Sequence, residues 1–257
     1  MSLTSSTPTA FNSLKAVFLS GGFIASLALT APASADFQIN LSLDYGNSDD
    51  SLVINGARTS FGFGALIPEL VWSGGRWGAI GVGYGYGYGP DQEATLGPVS
   101  GRGDLESDVI QLSYNNQFAI TDQLSVLVMY ENRKYEVSGT LDGRFGSRTA
   151  PISVVSDIEF EEMGARLAYS VREDLRLFAG VSTLDWTVDS DARATIGDTI
   201  TAEVSVAGGD STFQYSLGAD TILWERPLRF ELRAADLEAD ETVSKIEVRL
   251  TTTLYKF

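Results

Sequence analysis

Apolar and polar residues alternate with a period of two from residue 36 to the end of the chain. In 37–45, Phe37, Ile39, Leu41, Leu43 and Tyr45 share one face, while Gln38, Asn40, Ser42 and Asp44 share the other. The same alternation sets Ile110, Leu112, Tyr114, Phe118 and Ile120 against Gln111, Ser113, Asn115 and Gln117. It recurs at Leu124, Val126, Val128 and Tyr130, at Leu175, Leu177, Ala179 and Val181, and at Phe213, Tyr215, Leu217 and Ala219. In 228–233, Leu228, Phe230 and Leu232 alternate with Arg229, Glu231 and Arg233. Successive side chains on a β-strand point to opposite faces, so this pattern predicts strands with one apolar face. After residue 35 no stretch has a helical period.

The connections also alternate. Short turns fall at 73–76, 121–123, 171–174 and 224–227; between them lie longer acidic or glycine-rich links at 46–58, 90–106, 139–150, 189–210 and 237–242. Short and long connections in turn predict an all-β, antiparallel up-and-down barrel with tight turns at one rim and loops at the other. Counting between them gives about ten strands, or eight if two pairs are loop hairpins. The stretch 81–90, GVGYGYGYGP, belongs to this pattern. Its composition suits a disordered repeat, but its strict alternation suits a strand with Tyr84, Tyr86 and Tyr88 on one side and Gly81, Gly83, Gly85 and Gly87 on the other.

Periodicity does not say which face is outside, whereas charges and aromatics do. Arg229, Glu231 and Arg233, with Glu247 and Arg249 on the following strand, carry both signs and suit a narrow polar lumen. Trp72, Trp77 and Trp224 flank short turns; Tyr45, Tyr84, Tyr86, Tyr88, Tyr130 and Tyr135 lie toward the long links. Two aromatic girdles suit the two interfaces of a bilayer, so the barrel is read as transmembrane, its glycines lining the lumen. Simple alternation in the final strand cannot put Glu247 and Arg249 inside and Tyr255 and Phe257 outside. A bulge within 251–253 is therefore expected.

Composition narrows the chemistry. Residues 1–35 carry one charge, Lys15, then the apolar run 16–31, then Ala33 and Ala35 as an Ala-x-Ala site. That order is a secretory signal peptide. A membrane-anchoring helix is the alternative, but the run is short, holds Gly21 and Gly22, and meets Pro32. The mature domain is then 36–257. The chain has no cysteine and no histidine, which removes disulfides, thiol nucleophiles, Ser-His-Asp hydrolysis and HExxH metal chemistry. With 34 acidic against 18 basic residues, it is unsuited to nucleic acid and to docking on anionic headgroups by charge alone.

The last five residues, TLYKF, place aromatic Tyr255 and Phe257 at the end of the chain. They resemble the C-terminal assembly signal of Gram-negative outer-membrane β-barrels, with Thr252 where that signal usually has glycine. The resemblance implies a porin-like outer-membrane protein whose partners are membrane lipid, lipopolysaccharide and the outer-membrane assembly machinery. The enzymes of that class (omptin proteases, lipid A deacylases, the outer-membrane phospholipase) use a histidine, so no catalytic residue is assigned and no cofactor or metal site is expected.

The remaining motifs have ordinary readings. Arg102, Gly103 and Asp104 form an adhesive-type tripeptide in an expected surface loop, where turn chemistry favours Gly-Asp anyway. Carboxylates at Asp49/Asp50, Asp104/Glu106/Asp108, Asp189/Asp191 and Glu238/Asp240/Glu241 are read as solvated loops, with divalent cations as the alternative occupants. Glu159 and Glu161 are expected on the lumen face, paired with an arginine such as Arg166. The glycine track either opens a water path or receives bulky lumen residues such as Arg176 and Phe178. The functional expectation is a structural or interaction barrel with acidic loops and a largely filled lumen; the alternative is a narrow, weakly cation-selective channel. Amino-terminal sequencing of the exported protein is expected to read from Asp36, in the outer-membrane fraction. Recovery of a soluble periplasmic form would contradict this.

Overall fold

The computed structural model describes residues 36–48, 52–54, 57–59, 62–96, 99–196, 199–237 and 243–257. The expected signal peptide, and the acidic pairs at 49–50 and 238–241, lie outside them. Ten long strands form the wall: β1 (Asp36–Ser48), β4 (Gly62–Ser73), β5 (Ala79–Leu96), β6 (Val99–Ala119), β7 (Leu124–Phe145), β9 (Ile152–Arg172), β10 (Leu175–Ile196), β11 (Thr199–Leu223), β12 (Arg226–Leu237) and β13 (Val243–Lys256). Three short strands, β2 (Leu52–Ile54), β3 (Ala57–Thr59) and β8 (Arg148–Thr149), attach at the long-link end, β3 to β5 and β8 to β7. All neighbours are antiparallel, and β1 pairs with both β4 and β13, so the ring is closed.

The tight turns carry the geometry that closes hairpins at one rim. Between β11 and β12, Trp224 and Glu225 both take positive φ, 51° and 64°, the backbone of a two-residue hairpin turn that normally favours Asn-Gly. Two non-glycine residues there are strained, and the reward is an indole standing free at the rim, 87% exposed. Trp77 is likewise exposed beside the turn before β5, with the Arg76 guanidinium 4.9 Å from its ring. Pro68 in β4 has no N–H to give, and the ladder with β5 is interrupted between Leu66 and Glu69.

The strands that run well past the belt, β6, β7, β9, β10 and β11, change their chemistry partway along while keeping the same face outward. In β9 the outward residues Met163, Leu167, Tyr169 and Val171 are apolar, and Glu162 and Arg166 point inward. Further toward the long-link end the outward residues are Asp157, Glu159 and Glu161, and the inward ones Ile152, Val154 and Ile158. In β10, outward Leu177 and Val181 give way to Asp185 and Asp189, while the inward face passes from Ser182 to Leu184, Trp186 and Val188. A strand crosses a bilayer in about 9–11 residues; β6, β7, β9, β10 and β11 have 21 to 25. The outward apolar belt is the lipid-facing part. Beyond it the outside meets water and the inside becomes an ordinary core of Val99, Leu105, Val137, Leu141, Ile152, Leu184, Trp186 and Leu237.

That inversion corrects several expectations. Most of 90–106 and 189–210 is strand: β5–β6 and β10–β11 run as hairpins beyond the belt, leaving 97–98 and 197–198 between their ends. The tripeptide at 102–104 lies within β6, its Arg102 3.3 Å from Asp91 and its Asp104 accepting from the Tyr88 hydroxyl. Glu159 and Glu161 face outward; the β9 carboxylate that faces the lumen is Glu162, and Arg166 pairs with Glu231 of β12. Tyr135 belongs to the inside rather than to the outer girdle: Arg133 donates to its hydroxyl, and its ring meets Phe63 and Phe160 edge-on. In β13 the extra residue is Leu254, one beyond the expected 251–253, since Ile39 pairs with Tyr255 and Asn40 with Thr253. The bulge leaves Glu247 and Arg249 inside and Tyr255 and Phe257 outside, their rings 4.7 Å apart.

Gly81, Gly83, Gly85 and Gly87 all face inward and are buried, but their track is not open. Ile67 of β4 occupies the space at Gly83 and Gly85, Phe63 that at Gly87, and the Glu69 carboxylate that at Gly81. Phe178 packs instead over Gly218. On the other face Tyr84 and Tyr88 donate to Asp108 (2.9 Å) and Asp104 (2.5 Å), and Tyr86 lies against Glu106. A Cβ at Gly85 would strike the Leu66 carbonyl and the Ile67 backbone, whereas at Gly46 it meets only the Ile246 carbonyl at 3.9 Å. Gly85→Ala is therefore expected to destabilise the folded barrel by roughly 1–3 kcal/mol. Gly46→Ala should be tolerated, with both variants read from the temperature at which the heat-modifiable electrophoretic band is lost.

Candidate functional site

The lumen of the belt region is where the chain concentrates its buried charge. Among the described residues seven carboxylates point into it, Asp44, Glu69, Glu131, Glu162, Asp220, Glu231 and Glu247. Seven cations face them: Arg133, Arg166, Arg176, Arg229, Arg233, Lys245 and Arg249. Among these the signs balance, so the acidic excess of the described residues belongs to the outer surface and rims.

Arg249 is the densest node. Its Nε and Nη2 donate to the two oxygens of Asp44 at 2.9 and 2.7 Å, and its Nη1 and Nη2 donate to Glu131 at 2.6 and 2.8 Å. Arg133 donates to Asp44 (3.1 Å) and Glu247 (3.0 Å) and forms an ion pair with Glu131 (2.6 Å). Its strand, β7, lies five steps from β13 in either direction round the ring, so one side chain spans the lumen. Arg233 joins Glu231 (2.8 Å) to Glu162 (2.9 Å), Arg166 reaches Glu231 at 2.5 Å, and Lys245 lies 3.0 Å from Glu247. Such charges tolerate burial because each finds an opposite charge and most of their donors are bonded; the Nε of Arg166 is the buried guanidinium nitrogen left without a partner.

Below this layer, toward the short turns, the lumen opens into a cavity of about 410 Å³. Its rim carries Arg176, Asp220 and Arg229, which are only partly buried; both guanidiniums hold Asp220, Arg176 through Nε at 2.9 Å and Arg229 through Nε at 2.6 Å. Its floor is Glu131, Arg166, Arg233 and Arg249, and its side wall Glu69, Gln111 and Ser113. Above the charged layer the apolar core fills the interior of the outer half.

Of the five charged residues assigned to the lumen from sequence, Glu231, Arg233, Glu247 and Arg249 are in one connected network, and Arg229 faces the lumen in a separate cluster with Asp220 and Arg176. The sequence did not single out Asp44, Glu69, Glu131, Arg133, Glu162 or Lys245. Asp44 carried a signal, as the one charge on the polar face of its segment. Of the interface aromatics, Trp77, Trp224, Tyr84, Tyr86 and Tyr88 are exposed on the outside; Trp72 is half-buried, and its indole nitrogen is without a hydrogen-bond partner. No group of carboxylates among the described residues is arranged to hold a metal ion.

No family model matches the sequence, and no curated protein matches it. Solved structures do. The outer membrane protease OmpT from Escherichia coli aligns over 88% of this chain and 97% of its own at 10% identity, with a TM-score of 0.52. The translocator domain of the autotransporter NalP from Neisseria meningitidis aligns over 95% and 97% at 11% identity, with a TM-score of 0.47. The attachment invasion locus protein Ail of Yersinia pestis aligns over 87% and 97% at 8% identity, with a TM-score of 0.38. At such identity the likeness to the protease is one of fold: this chain has the fold of the outer-membrane β-barrels.

Replacing Arg249 by methionine leaves Asp44 and Glu131 facing each other with only one of the two guanidiniums they share, Arg133. Loss of one partner from a buried ion pair costs about 3–5 kcal/mol. The expected result is a clear fall in the urea midpoint of the folded barrel, with Asp44→Asn added to Arg249→Met recovering part of it.

Proposed function

We propose that this chain is a structural and interaction barrel of the outer membrane, without catalytic activity and closed to solutes through its lumen. The carrying observation is the charged layer in which Arg133 reaches from β7 to Glu247 on the opposite wall. An ion crossing here would have to displace bonded side chains and then enter the apolar core of Leu141, Ile152, Leu184 and Trp186. The seven carboxylates and seven cations described in the lumen also leave it without the net negative charge of a cation-selective pore.

The outer wall then carries the interactions. Immediately beyond the lipid-facing belt it presents Asp104, Glu106, Asp108, Asp157, Glu159, Glu161, Asp185 and Asp189. That level suits lipopolysaccharide phosphates bridged to the wall by divalent cations. Lys134, 3.4 Å from Glu136 and 3.7 Å from Asp157, is one of few cations there. The histidine-free composition is in keeping with a non-catalytic role, and the buried carboxylates are engaged as ion pairs or hydrogen-bond acceptors rather than poised beside a nucleophile.

Reconstituted in planar bilayers, the purified barrel is expected to give no discrete conductance steps. Reproducible unitary steps with cation selectivity would establish the channel reading instead.

A further inference from the structure

The cavity at the short-turn end has two unlike walls. On β4, Glu69 is the one lumen carboxylate among the described residues with no cation beside it. Its Oε1 accepts from the Ser113 hydroxyl (2.5 Å) and the Gln111 amide (3.2 Å), both neutral. The Gln111 carbonyl oxygen, itself buried, has no partner and lines the same cavity. This wall is left with acceptors.

The facing wall is left with donors. Arg166 on β9 is 95% buried and bonds through Nη2 alone, to a carboxylate oxygen it shares with Arg233; its buried Nε has no partner. Arg176 and Arg229 divide a single carboxylate, Asp220. Three guanidiniums therefore meet two carboxylates, one of them shared with a fourth guanidinium. Phe178 fixes two of these heads, its ring 5.4 Å from the Arg166 guanidinium and 5.2 Å from that of Arg229. β4 and β10 lie five steps apart round the ring, so Glu69 and Arg176 stand on opposite walls. The volume, about 410 Å³, is within the range of small-molecule sites.

We infer that this half-lumen is a binding site for a small zwitterion, a molecule with an ammonium group at one end and an anionic oxygen group at the other. The ammonium end sits at Glu69 and the Gln111 carbonyl, the anionic end at Arg166, Arg229 and Arg176. A buried orphan donor and a buried orphan acceptor each carry a desolvation cost that a bonded ligand atom removes. A monovalent ion satisfies one wall and leaves the other as it was. A zwitterion satisfies both and brings no net charge into a lumen whose charges already balance. The site depends on the proposed closure only for its entry route, which is the short-turn rim, the periplasmic side in this fold. Binding and conductance are separate measurements, so the two readings fail independently.

The test is titration calorimetry on the folded barrel in detergent with alanyl-alanine as the probe. Saturable binding is expected. N-acetyl-alanyl-alanine, which lacks the ammonium, and alanyl-alanine amide, which lacks the carboxylate, should each bind at least about tenfold more weakly, as should the parent dipeptide to Glu69→Gln. Glu69→Gln keeps the shape and the acceptor oxygen, and the blocked dipeptides need no variant at all, so the outcome does not hang on one protein folding. O-phosphorylethanolamine run in parallel separates a lipid-headgroup source from a free peptide one, because the tighter of the two zwitterions identifies the anionic group. Equal affinity for free and blocked dipeptides, or no saturation by either zwitterion up to about 10 mM, overturns the proposal.

Discussion

A backbone N–H or C=O inside hydrocarbon has no water to turn to, and leaving one unpaired costs several kcal/mol. A sheet in a bilayer can meet that constraint only by having no edge. Here the first wall strand pairs with the last, and the closing seam runs from Gln38 opposite Lys256 to Ser48 opposite Lys245. The bulge at Leu254 is the local adjustment that lets the seam close while the terminal aromatics face lipid and Arg249 faces in. The closed ring here has ten strands, and ten strands give a lumen narrow enough for one arginine to cross.

The second determinant is the medium, which changes along each of the strands of 21 to 25 residues. In the half toward the short turns the outer face meets lipid and is apolar, while the inner face holds Arg, Glu and Ser. In the half toward the long links the outer face meets water and carries carboxylates, while the inner face becomes apolar. Each buried leucine or isoleucine of that upper core is worth about 1.5–3 kcal/mol, which anchors the tall hairpins that no lipid supports. Tyr84, Tyr86 and Tyr88 sit at the change of medium, with their rings over the belt and hydroxyls on the first carboxylates beyond it. Such amphipathic side chains suit an interface for that reason.

The interior joins the two regimes. A charged layer in a narrow lumen is stable only as a complete network, because each member that lost its partner would be left desolvated. The exceptions to completeness are informative: Glu69, with neutral partners only, lies across the cavity at the short-turn end from Arg166, whose buried Nε is unbonded. The same lumen is thus packed with apolar side chains in its upper part and holds unpartnered polar groups in its lower part.

The sequence by itself determined what local pattern can carry. Alternation marked the strands, tight turns marked one rim, and the paired signs of Arg229, Glu231, Arg233, Glu247 and Arg249 marked the inside of two neighbouring strands. Closure, the phase of each strand and the contacts across the ring were decided only in three dimensions. In β9 the apolar phase moves from even positions, Ile158 and Phe160, to odd ones, Met163 and Leu167, without any break in the strand. A period-two reading takes such a shift for irregularity, and so places Glu159 and Glu161 inside and reads the acidic hairpins as loops. Arg133 and Glu247 are 114 residues apart, and nothing local in either segment names its partner. The glycines of β5 show the same division: their spacing declared one bare face, but only the neighbouring strand could show that Phe63, Ile67 and Glu69 fill it. Side-chain direction along a strand is a local property of the backbone, whereas the medium on either side is a property of the closed barrel.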